Sequence, residues 1–210
     1  MNRSDKTNSN IAALTFDDRD AVITIWSESF YNYPAIRECF LAYAEDEQQY
    51  LDALPYLFGF FFDFHFYQKT HLLGIRCEGE LVSAIACMRP EEQVWPQALH
   101  QSFNNLKETL GDECVRKIDL YEEITGNQRP SNPHYFVEIV GVLNNHQGKG
   151  YARQLLQRIQ HLSAADPSSN GVFLDTEDVK NVALYQHLGY VLTGESDIEG
   201  LHSWHFFRAD

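Results

Sequence analysis

Gln147-Gly148-Lys149-Gly150-Tyr151-Ala152 joins two segments of opposite rhythm, and its reading decides the fold. Before it, residues 134–143 (HYFVEIVGVL) are apolar on both alternating sets, as expected of a central strand covered on both faces. After it, Ala152, Leu155, Leu156 and Ile159 recur at i, i+3, i+4 and i+7, which predicts a helix over residues 150–161. A helix that starts straight after a strand offers free backbone N–H groups and the positive end of its dipole, so it can hold an anion without basic side chains. Gly148 and Gly150 let the main chain approach that anion and tolerate positive φ. Charge-assisted bonds contribute about 1.5–3 kcal/mol each, so a few amides suffice to anchor a pyrophosphate, with Lys149 adding attraction at the rim.

Three anion-binding patterns compete for this turn. A P-loop needs Ser or Thr after its Gly-Lys pair, but Tyr151 follows Gly150. The dinucleotide fingerprint needs a third glycine where Arg153 stands. Gln/Arg-x-x-Gly-x-Gly/Ala is met at every fixed position. A second segment, Asn181-Val182-Ala183-Leu184-Tyr185-Gln186-His187-Leu188-Gly189-Tyr190, lies beyond the next predicted strand. Together the two segments and their order resemble the GNAT superfamily of acyl-CoA-dependent N-acetyltransferases, over residues 137–190.

The resemblance implies an α/β fold with a mixed, mostly antiparallel sheet. In it, the strand at 134–143 and the strand at Gly171–Thr176 form a splayed parallel pair, flanked by helices. It implies acetyl-CoA as cosubstrate, a primary amine of a small molecule or peptide as acceptor, direct attack in a ternary complex, and no metal. The cofactor-binding residues would be Gln147, Gly148, Lys149, Gly150, Tyr151, Ala152 and Arg153 around the diphosphate. Val140, Gly141 and Val142 would pair with the pantetheine arm, and one of their N–H groups would polarise the thioester carbonyl. Otherwise these residues pair only with the neighbouring strand; Gly141 favours the pantetheine role, because glycine inside a strand marks a bulge or a close backbone approach. Tyr185 matches the family tyrosine that donates toward the departing thiolate; otherwise it is a core aromatic sharing a face with Val182 and Leu188. Asn181 would contact the pantetheine arm, or cap its helix.

Glu138, by strict alternation on the face of Phe136, Val140 and Val142, is the candidate general base, because a carboxylate there is either paired or placed for chemistry. His134 is a lesser candidate, and Asp175 and Glu177 could orient the acceptor's positive charge. Rival assignments are an acyl-CoA sensor without turnover and an acyltransferase for a longer acyl chain or a hydroxyl acceptor.

The rest of the chain sets bounds. With 210 residues it can form one domain over residues 11–210, behind a polar, frayed segment at residues 1–10. A net charge of -14 argues against a nucleic-acid partner and suits a cationic acceptor or solubility alone. Cys39, Cys77, Cys87 and Cys114 show no C-x-x-C spacing and read as reduced thiols in a cytoplasmic protein without a secretory signal. Residues 56–67 (YLFGFFFDFHFY) are too short to span a membrane and read as a core helix or the wall of a pocket. Helices are expected over 21–30, 35–43, 48–67, 95–124 and 181–188, with a hairpin at His71–Cys77 and 81–88. A last strand over 202–207 is expected to be exposed and able to pair across a homodimer.

Overall fold

The computed structural model describes residues 11–43, 45–90 and 95–210, so the segment 1–10 lies outside the described residues. The chain runs β1 (Ile11–Ala13), α1 (Arg19–Phe30), α2 (Pro34–Cys39), α3 (Glu47–Tyr67) and the hairpin β2 (His71–Cys77) and β3 (Glu80–Met88). It continues through α4 (Gln97–Gly126), β4 (Tyr135–Val142), α5 (Tyr151–Ala165), β5 (Gly171–Thr176), α6 (Val179–His187), β6 (Val191–Ile198) and β7 (Leu201–Ala209). Among the described residues one seven-stranded sheet has the order β1-β2-β3-β4-β5-β7-β6. Every pairing is antiparallel except β4 with β5. This is the mixed sheet with one parallel pair that the resemblance implied.

Amphipathic helices close the two faces. α1 buries Val22, Ile25 and Trp26, and the Trp26 indole donates to the Ala84 carbonyl of β3 at 3.3 Å. α5 buries Leu155, Leu156 and Ile159 against β3, β4 and β5, the stripe its periodicity predicts. α3 starts where the Asp46 carboxylate accepts from the N–H groups of Gln48 and Gln49, both at 3.1 Å. Asp63 survives in its aromatic run because Arg19 pairs with it bidentately, at 2.7 and 3.0 Å, and Ser102 donates to it at 2.7 Å. α4 is interrupted at Gly111, whose φ of 74° and ψ of 168° leave the helical region.

Three expectations are corrected. First, residues 191–198 form β6, which the sequence reading left out. Most of its residues are exposed and Thr193 interrupts its register with β7, so no apolar alternation announces it. Second, the strand at 202–207 is not an exposed end strand: β7 lies between β5 and β6, and β6 takes the edge. Third, Asn181 does not cap its helix. Asp178 does, accepting from the Lys180 N–H at 3.0 Å, and Gly189 follows the last turn at a φ of 88°.

Gly141 has a packing reason of its own. A Cβ there would lie 2.8 Å from Trp26 Cδ1 and 2.9 Å from Ser29 Oγ, so α1 rests directly on β4 at this residue. Gly141→Ala is expected to cost about 1–3 kcal/mol through overpacking, read as a lower urea midpoint with unchanged m-value. A midpoint equal to wild type would show that α1 can move aside freely.

Candidate active site

The site begins with a register irregularity. Ala86 of β3 faces Ile139 of β4, and Cys87 faces Val137, so Glu138 is the extra residue of a bulge. The bulge therefore falls three positions before Gly141, and strict alternation does not hold across Glu138. β4 pairs with β5 only at Tyr135↔Val172 and Phe136↔Phe173; beyond the bulge the two strands part. A cavity of about 670 Å³ opens there, lined by β4, the end of β5 and the first turns of α5 and α6.

The main chain of β4 divides between two sides. The Leu143 N–H donates to the Val82 carbonyl at 3.0 Å, so by alternation Val140 and Val142 turn their main-chain groups toward the gap. Ser29 of α1 occupies that gap at Val142: its hydroxyl oxygen lies 2.9 Å from both the Val142 nitrogen and the Val142 carbonyl oxygen. Val140 and Val142 line the cavity; Gly141 is buried under α1.

At the next turn, Gly148 and Gly150 adopt φ of 74° and 82°, and a Cβ at either would meet nothing within 4 Å. The glycines are thus required by backbone conformation, and the space before them is open. The first intrahelical bond of α5 runs from the Gln154 N–H to the Gly150 carbonyl at 3.1 Å. No side chain caps the helix, which leaves the amides of Tyr151, Ala152 and Arg153 directed outward. Gln147 donates to the Val142 carbonyl at 3.3 Å and to Asn144 at 3.1 Å, tying the turn to the end of β4. Lys149 and Arg153 are exposed.

Tyr185, on α6, is 7 % exposed and lines the cavity, with its ring edge-on to Tyr190 and Phe206. Burial, then the neighbouring Tyr190 and Asp175, push its phenol well above the usual range. Asn181 donates to Thr176 at 3.1 Å, and Thr176 is bonded to the Tyr33 hydroxyl at 2.9 Å.

Acidic side chains form the remaining wall. Glu138 bonds the fully buried His65 of α3 at 2.5 Å, and the other ring nitrogen of His65 meets Thr70 at 2.7 Å. Glu122 of α4 bonds Arg129 at 3.4 Å, and its carboxyl is pushed up to about 7, first by burial and then by the charge of Glu138. Asp175 and Glu177 are raised as well, burial being the main cause in each. Leu57, Phe58 and Phe61 of the aromatic helix also line the cavity, while Phe62 is core. His134 stands apart, bonded to the Asn132 carbonyl at 2.7 Å and packed edge-on to Phe173. Among the described residues no group of three or more His, Cys, Asp or Glu is arranged to hold a metal ion, and no helix is long and apolar enough to cross a membrane.

A family model for the acetyltransferase (GNAT) domain matches residues 111–192, the stretch that holds the bulged strand, the glycine turn and α6. Over those residues the chain is similar to GNAT acetyltransferases. Its fold is similar to a structure of the histone acetyltransferase HPA2 and related acetyltransferases from Corynebacterium glutamicum, with a TM-score of 0.68 at 19 % identity, covering 95 % of this chain and 94 % of that one. It is also similar to an agmatine N-acetyltransferase, with a TM-score of 0.58 at 15 % identity and coverage of 95 % and 98 %. The ribosomal-protein-S18-alanine N-acetyltransferase of Escherichia coli scores 0.55 at 12 % identity, with coverage of 95 % and 92 %.

Within this GNAT fold, four side chains at the site escaped the sequence reading: Ser29, His65, Glu122 and Tyr121. Ser29 lies on the same face of α1 as Val22, Ile25 and Trp26, and Glu122 on the same face of α4 as Cys114, Ile118 and Thr125. Each is a single polar residue on an inward stripe with no local pattern to mark its role; His65 is likewise one polar residue in an aromatic run. Glu122 yields a stability prediction. A carboxyl raised from 4.5 to about 7 on folding contributes stability that is complete below pH ~4.5 and lost as pH rises through about 7. Melting temperatures of Glu122→Gln across pH 4.5–8 are therefore expected to fall less with rising pH than those of wild type. Parallel curves would rule out Glu122 as a group that titrates on folding.

Proposed function

We propose that the protein transfers an acetyl group from acetyl-CoA to a primary amine of a small molecule or peptide, by direct attack in a ternary complex. The observation that carries this is the meeting, in one cavity, of the unpaired edge of β4 with the uncapped first turn of α5. The diphosphate would be held by amides from Gly148 to Arg153, with Lys149 and Arg153 adding charge at the rim. The pantetheine arm would lie along Val140–Val142 with Asn181 beside it. Val140 offers the gap-facing main-chain groups there, because Ser29 engages the N–H of Val142. Two similar structures are named for acetylation of an amine, agmatine and the alanine of a ribosomal protein, which supports an amine acceptor.

Chemistry follows from the groups around the gap. The acceptor's ammonium gives a proton to Glu138, and the freed nitrogen attacks the thioester carbonyl carbon. The C–N bond forms as the carbonyl π pair moves to oxygen, where a β4 N–H donates to it. Collapse expels the sulfur as a thiolate, the nitrogen loses its second proton to solvent, and the thiolate takes one from solvent. The products are an amide and free CoA. A phenol near 10 protonating a thiolate near 8.5 is uphill by about 2 kcal/mol, and burial raises Tyr185 further, so Tyr185 acts as a hydrogen-bond donor to the leaving sulfur. His65 is a positioning residue: packed at zero exposure and tied to Thr70, it fixes the Glu138 carboxylate in the bulge.

A thiol-release assay over a panel of small amines, polyamines and peptide N-termini tests the activity itself. Tyr185→Phe is expected to lower kcat about tenfold or more with the Kd for acetyl-CoA unchanged; a rate within about twofold of wild type removes Tyr185 from the mechanism. Glu138→Gln is expected to lower kcat about a hundredfold at pH 7, and His65→Gln by less. An undiminished kcat in Glu138→Gln would transfer the base role elsewhere, with Glu122 the nearest alternative.

A further inference from the structure

The acidic wall contains two oxygens that the fold leaves without partners. Glu177 is 5 % exposed; one carboxylate oxygen accepts from Tyr121 at 3.0 Å and from Ser203 at 2.6 Å, while the other is buried with no hydrogen bond. Asp175 also keeps one buried oxygen unbonded. Asp175 lies near the end of β5 and Glu177 directly after it, and both line the cavity. Buried polar atoms without partners are rare in native folds, and each is normally explained by a bound species or a function.

Among the described residues no cation of the protein hydrogen-bonds to these oxygens, although the charge of Arg129 acts on Asp175. Arg129 is turned to Glu122 at 3.4 Å and stacked 3.8 Å over the Phe136 ring. Arg153 and Lys180, the Arg and Lys side chains that line the cavity, are exposed at the starts of α5 and α6. An ionised carboxylate buried beside another is costly until a positive charge with N–H donors joins it. An ammonium or guanidinium supplies both.

We propose that Asp175 and Glu177, with Glu122 on the same cavity wall, form a subsite for a second cationic group of the acceptor, so that the protein selects diamines and longer polyamines over monoamines. The inference rests on the amine-acetylation reading above and adds its specificity. One nitrogen of the acceptor is neutral and reacts beside Glu138; the other stays charged and is held at the end of β5. The Tyr121 and Ser203 bonds hold the Glu177 carboxylate in place, which limits the ordering cost when the cation arrives.

The test compares initial rates for α,ω-diamines of three to six carbons with the n-alkylamines of matching length, at saturating acetyl-CoA. For the best diamine, kcat/KM is expected to exceed that of its monoamine about a hundredfold. In Glu177→Gln and in Asp175→Asn the ratio is expected to fall at least about tenfold, mainly through KM. The amide introduced by Glu177→Gln keeps an oxygen for Tyr121 and Ser203, and Asp175→Asn provides a second, independent variant should the first melt early. Equal acetylation of diamine and monoamine by wild type, or ratios unchanged in both variants, overturns the subsite while leaving amine acetylation standing. If no amine is acetylated although acetyl-CoA binds, the parent reading fails and the subsite goes with it.

Discussion

Everything at the site depends on a pairing that stops. β4 and β5 share main-chain register for only two residue pairs before Glu138 inserts an extra residue and the strands separate. Separation leaves backbone donors and acceptors of a central strand unsatisfied by a neighbour, which a folded chain tolerates only when another partner is available. Ser29 supplies that partner at Val142, and the opened gap is available to a ligand at Val140. The same departure sets the entry of α5, because Gln147 ties the turn back to the Val142 carbonyl. A strand edge and a helix N-terminus are thereby fixed relative to each other by a few short bonds, and together they suit a long ligand with an amide-bearing arm and an anionic end.

Electrostatics divides the cavity. At the α5 end the exposed cations Lys149 and Arg153 and the dipole of the helix favour negative charge. At the β5 end Glu122, Glu138, Asp175 and Glu177 favour positive charge, and burial raises the carboxyls of Glu122, Asp175 and Glu177. An anionic cosubstrate and a cationic acceptor would thus be drawn to opposite ends of one space, with the thioester between them. Phe58 and Phe61 of α3 add apolar surface to the same cavity.

How much of this was readable in advance follows the range of each interaction. The glycine turn, the α5 stripe and the Asn181–Tyr190 segment are local patterns, and the structure carries them as strand, turn and helix where the sequence put them. Glu138 was legible as a carboxylate out of place in an apolar strand. Its partner was not, since His65 lies 73 residues away on a helix whose own rhythm is aromatic. Ser29 meets Val142 across 113 residues, and nothing in a lone serine on the inward face of α1 announces that contact. Gly141 was legible as a place of close approach, and the neighbour that comes close is α1. β6 escaped because an edge strand open to water needs no apolar alternation, and missing it misplaced the sheet edge by one strand.

Calorimetric titration with CoA, run beside pantetheine that lacks the diphosphate and nucleotide, puts the central claim to its most direct test. Main-chain amides at the mouth of α5 gripping the diphosphate should make CoA bind at least roughly a hundredfold tighter than pantetheine. No heat at millimolar CoA, or equal affinities for the two, would contradict the account.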